Sequence, residues 1–460
     1  MLNSAPALSP LPDTSSWSDM ASKRIQEIQD ALSQRDDEAV GSFLPQEPKT
    51  LQDANLSEAE VQGLALKLML NVGPITGRQI ADHLRLGLPV IQEVTQNLKD
   101  QLLITHQSSA AMGDYVFELT ESGTHRAHRY ADRCTYFGAA PVGLTDYIES
   151  VFRQSVRHAA PTLNDLKIAF DDLYLSTAML SQIGQAVRGA RGLFLYGNPG
   201  NGKTSIAERL VRAVDQHIWI PRTIIVNGEI IRLFDPNCHT EVPQQDASSG
   251  PLIENRIDRR WVKIKRPSVV VGGELTLDQL DMTPNPATGI SEAPVQLKSN
   301  CGALVVDDFG RQRITTTELL NRWIVPLERG FDLLTLPLGC QLQIPFDQLL
   351  VFATNLEPRH IVDEAFLRRI PYKIEVFDPT EEEFRNLFAT TARKMGFRHN
   401  ETALDYLIEN HYRAVSRSFR FCHVRDLLLQ VKYLCEFHDC PLQLTNEAFD
   451  VAVYNYFAAL

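Results

Sequence analysis

The segment Gly192-Leu-Phe-Leu-Tyr-Gly-Asn-Pro-Gly-Asn-Gly-Lys-Thr-Ser205 decides the fold of this chain. Its apolar part, 193–196, predicts a buried strand, and a helix is expected to begin at Ser205. Between them, residues 197–204 match the pattern Gly-x-x-x-x-Gly-Lys-[Ser/Thr]. Glycines in such a loop let backbone N–H groups turn inward around phosphate oxygens, and the helix N-terminus adds positive potential. The segment therefore predicts an α/β fold with a phosphate-binding loop.

Individual side chains of this loop have distinct expected roles. Lys203 is suited to reach the β- and γ-phosphates of a nucleotide, and the Thr204 hydroxyl is suited to bind Mg²⁺. The expected ligands are therefore ATP and Mg²⁺. The residues assigned to nucleotide binding are Gly197, Asn198, Pro199, Gly200, Asn201, Gly202, Lys203, Thr204 and Ser205.

A second apolar strand ends in two carboxylates. Leu304-Val-Val306 is followed by Asp307 and Asp308, and ligands of open parallel sheets bind beyond the carboxyl ends of the strands. We assign Asp307 to Mg²⁺ and Asp308 to polarising the attacking water. An Asp-Glu pair is commoner after such a strand, so the shorter side chain of Asp308 keeps slow turnover open as an alternative.

The order of four motifs resembles that of an AAA+ ATPase module covering about residues 163–460. After the loop and the two aspartates come Ala353-Thr-Asn355 and Ala365-Phe-Leu-Arg-Arg369. The resemblance implies a parallel sheet flanked by helices, a C-terminal helical lid and assembly into a ring, with a hexamer as the expected form. It also implies that Asn355 is the sensor-1 residue, which orients water beside the γ-phosphate.

Two arginine roles follow from the same resemblance. Arg369, or Arg368, is similar to the arginine finger that reaches the nucleotide of a neighbouring subunit. Arg425, in the segment Phe421-Cys-His-Val-Arg425, is similar to sensor 2 of the lid. A helix followed by two strands over 319–346 is similar to the pre-sensor-1 hairpin of MoxR-like ATPases, which faces the ring pore; a hairpin that covers the sheet edge is the alternative.

The segment before the phosphate loop predicts a smaller α+β unit. Over residues 54–125 the pattern gives a helix, two shorter helices and a strand pair, which resembles a winged helix. The net charge over 57–125 is −4, which is unfavourable for neutralising DNA phosphates. Docking of a protein is therefore favoured over DNA contact, and DNA stays an alternative.

The remaining segments complete the predicted organisation. Residues 1–53, with one helix over 17–40, are expected to be a mobile arm, and 126–162 a helical connector. The ATPase core covers 163–379 with a β-rich insertion at about 215–300, and the lid covers 380–460. In the insertion, Asn227-Gly228 predicts a hairpin turn, and 261–271 a single sheet strand. Its basic cluster, 256–266, is either a solvated strand face or a polymer-facing surface.

Composition limits the class of protein. The chain has 460 residues and a net charge of −12, which disfavours binding of nucleic acid by overall charge. Seven scattered cysteines are typical of reduced thiols, and a zinc site at Cys238-His239 is disfavoured. An apolar run of the roughly 20 residues needed to span a bilayer is lacking, so we expect a cytoplasmic protein without membrane insertion.

Three functions fit these features. The leading hypothesis is a ring-forming ATPase that remodels a protein partner selected by the N-terminal unit. The second is a DNA-acting ATPase, such as a loader, a transposition accessory or a transcription regulator, that uses the winged helix. The third is a scaffold that assembles with ATP and turns over slowly, and Asp308 keeps it open.

Overall fold

The computed structural model describes residues 43–158, 161–189, 192–214, 217–243, 257–336, 339, 341–362, 364–398 and 400–457. The helix predicted over 17–40 lies outside these residues. The part of the predicted arm that is described packs on the rest of the chain. The ring of Phe43 lies 5.2 Å from that of Trp261, between centroids, and the Pro45 carbonyl accepts the Asp258 N–H at 3.0 Å.

The first folded unit begins at a capped helix. The Ser57 side chain accepts the Glu60 N–H, and the Glu60 carboxylate accepts the Ser57 N–H. Three strands of the unit form an antiparallel sheet in the order β1-β3-β2. Its elements are α1 (Glu58–Val72), β1 (Ile75–Thr76), α2 (Gly77–Leu84), α3 (Leu88–Asp100), β2 (Ile104–Ser109), β3 (Tyr115–Leu119) and α4 (Glu121–Ala131).

The middle of the chain contains both helices and strands. Its elements are β4 (Val142–Gly143), α5 (Leu144–Arg153), α6 (Leu163–Ala169), α7 (Thr177–Arg188), β5 (Leu193–Tyr196), α8 (Lys203–Arg209), β6 (His217–Pro221), β7 (Thr223–Val226), β8 (Glu229–Arg232), β9 (Trp261–Lys265), β10 (Ser268–Val271), β11 (Thr283–Asn285), β12 (Ile290–Glu292) and α9 (Val295–Lys298). The last part holds β13 (Ala303–Val306), α10 (Thr316–Arg329), β14 (Phe331–Thr335), β15 (Gln341–Pro345), β16 (Leu349–Thr354), α11 (Glu364–Leu367), β17 (Tyr372–Glu375), α12 (Glu381–Lys394), α13 (Glu401–Ile408), α14 (Phe421–Phe437) and α15 (Asn446–Phe457).

Five of these strands form the central sheet. They lie in the order β10-β13-β16-β5-β17, and every neighbouring pair is parallel. Residues of β13 and β16 are buried throughout, because helices cover both faces of the sheet. The predicted P-loop α/β fold is confirmed. The carboxyl ends of β5, β13 and β16 lie side by side, which brings the residues that follow each strand to one edge.

The insertion forms two further sheets. One has the order β11-β12-β8-β7-β4, and its β7–β8 hairpin turns at Asn227 and Gly228, whose φ angles are 51° and 80°. The hairpin prediction is confirmed. The prediction of one strand over 261–271 is wrong: β9 pairs with β6, whereas β10 joins the central sheet. The break falls at Arg266-Pro267, where proline has no N–H for a ladder.

The β14–β15 hairpin packs against the insertion. Its Leu334, Leu342 and Ile344 are buried in a cluster with residues of β6, β7 and β8. Asp332, which is 1% exposed, accepts hydrogen bonds from Arg322 of α10 and from Gln296 of α9, the latter at 3.0 Å. One face of this hairpin is therefore occupied within the chain.

Two arginines of the basic cluster in the insertion, Arg260 and Arg266, are used inside the chain. Arg260 is 3% exposed and pairs with Asp258 at 2.8 Å, while its Nη1 donates to the carbonyls of Ala54 and Pro141 at 3.1 Å. Arg266 is buried and donates to the Gln154 carbonyl at 2.9 Å. These two residues are neither a solvated face nor a polymer-facing surface. They are internal cross-links.

The C-terminal helices α12 to α15 form a separate apolar core. Phe384, Phe388, Leu427, Leu428 and Phe449 are all fully buried in it. Within the described residues, no helix is long and apolar enough to cross a membrane.

Candidate functional site

The loop between β5 and α8 depends on glycine for its shape. Gly197 has φ 136°, and a Cβ there would lie 2.4 Å from the Val376 carbonyl oxygen. Gly200 has φ 84°, and a Cβ there would lie 2.4 Å from Sγ of Cys422. The two glycines thus permit both the left-handed backbone and close contact with the residues after β17 and at the start of α14.

Lys203 lies at the centre of the loop. Its Nζ donates to the carbonyls of Gly197 and Asn198 at 3.0 and 2.9 Å, and to Oδ1 of Asn355 at 2.7 Å. Burial lowers the pKa of Lys203, and the charges of Asp307 and Asp308 oppose that shift. The ammonium group is therefore held inside the curve of the loop, next to the end of β16.

The predicted magnesium residues meet in the structure. The Thr204 hydroxyl donates to Oδ2 of Asp307 at 2.9 Å. Oδ1 of Asp307 accepts the Asp308 N–H at 3.0 Å, and Oδ1 of Asp308 lies 3.4 Å from Nδ2 of Asn355. Residues from the ends of β5, β13 and β16 thus form one continuous network.

The backbone explains the aspartate at 308. Asp308 has φ 48°, in the left-handed region, where aspartate is found several times more often than most residues with a Cβ. Its side chain is exposed, whereas Phe309 is buried and its N–H donates to the Ala353 carbonyl at 2.8 Å. The chain direction at Asp308 therefore favours a short carboxylate over the longer glutamate.

The lid contributes an arginine that the sequence did not single out. Nη1 of Arg420 lies 3.4 Å from the Pro199 carbonyl and 3.3 Å from Oδ1 of Asp378. The predicted Arg425 is placed differently: its side chain is 71% exposed and pairs with Asp426 at 3.1 Å. Arg420 is the residue directly before α14, so its position beside the loop follows from where that helix begins.

The two finger candidates follow α11. The side chain of Arg369 pairs with Glu328 of α10 at 2.6 Å and is 27% exposed. Arg368 is exposed, and its N–H donates to the Glu364 carbonyl at 3.2 Å.

The residue Ser205 lies in the first turn of α8, where its carbonyl accepts a hydrogen bond from Arg209 at 2.8 Å.

The residues present fit a magnesium–nucleotide complex. Glycines leave room for backbone N–H groups beside an anion, and Gly202 opens α8 at the same place. Lys203 supplies a positive charge, and Thr204 with Asp307 supplies the oxygen ligands that Mg²⁺ prefers. The other suggested metal pair is used differently, because His239 bonds to the Asp235 N–H at 3.0 Å and to the Lys298 carbonyl at 2.8 Å.

Comparison with known proteins gives matches of two kinds. Residues 380–455 match a family model described as Domain of unknown function (DUF8689). Among solved structures, a mutant RuvB from Thermotoga maritima is 13% identical with a TM-score of 0.36, and the alignment covers 63% of this chain and 72% of that one. NtrX from Brucella abortus is 12% identical with a TM-score of 0.39, covering 63% of this chain and 56% of that one. NtrX in complex with ATP gives 12% identity, a TM-score of 0.38, and coverage of 64% and 60%. Comparison with curated proteins gives no match.

A buried histidine beside the loop makes lid stability depend on pH. His423 is 8% exposed and its Nδ1 lies 3.1 Å from the Tyr412 hydroxyl. Burial, with Arg420 and Arg417 nearby, lowers the pKa of His423 to about 4. The unfolded chain therefore binds this proton more readily, and the free energy of unfolding falls as the pH drops from about 6.5 to about 4.

Urea unfolding at pH 7 and at pH 4 checks this expectation. The parent should lose about 3 kcal/mol more than His423→Gln over this range, because glutamine has no proton to gain. Equal losses in the two proteins would contradict it.

Proposed function

We propose that this chain is an AAA+ ATPase that binds ATP with Mg²⁺ and hydrolyses it to ADP and phosphate. One observation carries the proposal. Lys203, Thr204, Asp307, Asp308 and Asn355 form a single hydrogen-bond network at the ends of three adjacent parallel strands, in which the Asp308 backbone N–H joins the two aspartates.

Each side chain has a chemical role in this proposal. Lys203 and the loop N–H groups bind and orient the phosphates, and Thr204 and Asp307 hold Mg²⁺. The metal neutralises negative charge on the phosphates when it is bound. The carboxylate of Asp308 accepts a hydrogen bond from the attacking water, and Asn355 fixes that carboxylate through its amide group.

Phosphate release by the purified protein tests the proposal directly. We expect release with ATP and Mg²⁺, and a loss of turnover when EDTA removes the metal, because Asp307 then has no cation to hold. Excess Mg²⁺ should restore the rate. A protein that neither binds ATP nor releases phosphate at any protein concentration would contradict the proposal.

We further propose that the active site is completed between subunits of a ring. Arg369 follows α11 and forms an ion pair with Glu328 of α10. Its side chain is partly exposed. We favour it over Arg368 as the finger, because the ion pair restricts its direction. The position of the β14–β15 hairpin directly before β16 supports a relation to MoxR-like ATPases.

Changing Arg369 to alanine should stop turnover while each subunit still binds ATP, because the finger acts on the neighbour's nucleotide. Mixing this variant with Asp308→Asn should restore part of the activity, since some interfaces then combine an intact Asp308 with an intact Arg369. Phosphate release across a series of mixing ratios measures this. An absence of rescue at every ratio would count against a shared site. Arg368→Ala, at the exposed neighbouring position, is the matched control for Arg369→Ala.

The N-terminal unit is proposed to select a protein partner for remodelling in the cytoplasm. Its helix and strand order supports a winged helix, and its net charge of −4 over 57–125 supports a protein partner over DNA. Exposed Arg78 and Arg85 on and after α2 support the DNA-acting alternative. Duplex DNA that stimulates the ATPase, with the stimulation lost when Arg78, Arg85 and Lys99 become glutamate, would favour that alternative.

A further inference from the structure

One carboxylate joins the phosphate loop to the lid. Asp378 lies between β17 and α12, at the junction of the core and the lid. It accepts hydrogen bonds from Nδ2 of Asn198 at 3.2 and 3.0 Å and from Nδ2 of Asn201 at 2.7 Å. The same carboxylate lies 3.3 Å from Nη1 of Arg420. The Asp378 carboxylate therefore contacts two side-chain amides of the loop and the guanidinium at the start of α14.

The loop and the lid also touch through the backbone. The Cys422 N–H donates to the Gly200 carbonyl at 2.9 Å, and Arg420 reaches the Pro199 carbonyl at 3.4 Å. The side chains of Asp378 and Arg420 are 27% and 21% exposed. Because this pair is partly shielded from water, its attraction is stronger than that of a fully exposed pair.

We propose that Asp378 is a positioning residue that competes with the phosphates of ATP for Arg420, and so couples nucleotide binding to the position of the lid. The inference rests on the proposed function. Arg420 lies beside the loop with its charge balanced by Asp378. A triphosphate held by residues 197–204 presents a larger negative charge to the same guanidinium. Transfer of Arg420 to phosphate releases the lid from Asp378, while Asn198 and Asn201 keep Asp378 at the loop.

Hydrogen exchange without nucleotide tests the tie itself. Asp378→Asn keeps an acceptor for the two loop amides and removes the charge that holds Arg420. We expect the Cys422 amide to exchange about tenfold faster in this variant, because the lid start separates from Gly200 more often. The control is Asp405→Asn, which removes a lid ion pair with Arg385, 2.7 Å long and away from the loop. Unchanged exchange in Asp378→Asn would overturn the proposal.

Nucleotide affinity tests the competition. Asp378→Asn should bind ATP about tenfold more tightly, because Arg420 then has no competing carboxylate. In an Arg420→Gln background the same change should have little effect, since the two substitutions act through one contact. Weaker ATP binding in Asp378→Asn, or an equal effect in both backgrounds, would overturn the proposal. If the parent binds no ATP, the proposed function fails, whereas the exchange experiment still decides whether Asp378 holds the lid.

Discussion

Changing Lys203 to alanine is expected to abolish ATP binding, weakening it by about 100-fold or more. The ammonium group is the positive side chain inside the loop, and it is fixed by two loop carbonyls and Asn355. Without the ammonium group, less positive charge offsets the repulsion between the phosphates and the carboxylates of Asp307 and Asp308. Titration with a fluorescent ATP analogue measures the loss.

A matched variant separates this effect from a general loss of lysine. Lys373 lies on β17 of the same sheet, and its Nζ contacts the Leu367 carbonyl at 2.7 Å, away from the loop. Lys373→Ala should bind ATP like the parent. If Lys203→Ala hydrolysed ATP at the parent rate, the assignment of the nucleotide site would be wrong.

Changing Asp308 to asparagine should leave ATP binding in place and slow hydrolysis by roughly 100-fold or more. Asparagine has the size and backbone tolerance of aspartate, so the left-handed backbone at φ 48° is kept. The amide is a far weaker base than the carboxylate and polarises water poorly. Single-turnover phosphate release with bound ATP measures the chemical step apart from binding.

A nearby carboxylate provides the control for this change. Glu357 follows β16 by a few residues, is partly exposed, and forms an ion pair with Arg359. Glu357→Gln should retain the parent rate. Parent-like turnover in Asp308→Asn would remove Asp308 from the chemistry and leave the slow-turnover scaffold as the better hypothesis.

Much of the fold and half of the site follow from local sequence. The phosphate loop, Asp307 and Asn355 each follow an apolar strand, and parallel strands bring their carboxyl ends together, so their convergence is predictable. Arg420 is different. Its contact with the loop depends on where α14 begins and how the lid packs, and the sequence instead favoured Arg425, which the structure places at the surface.

The roles of charged residues in the insertion also depend on tertiary packing and could not be predicted from local sequence. The run of arginines and lysines over 256–266 indicates a basic surface when counted along the chain. The structure buries Arg260 and Arg266 against carbonyls from segments more than a hundred positions earlier in the chain. Contacts of that range depend on the tertiary fold and leave no local signal. Asp308 is the opposite case, because its residue type and its local structure agree. Its backbone is left-handed, and aspartate adopts that conformation more readily than most residues with a Cβ.

The cross-link made by Arg260 affects where the chain can be shortened. Arg260 binds carbonyls of Ala54 and Pro141, and β4 is an edge strand of the sheet that contains β7. A shortened protein beginning near residue 163 would lack these partners and would leave Trp219 and Trp261 without Val142 and Phe43, two of the residues in their apolar cluster. We expect it to aggregate on expression. The phosphate-loop core and the N-terminal unit are therefore best produced as a single piece.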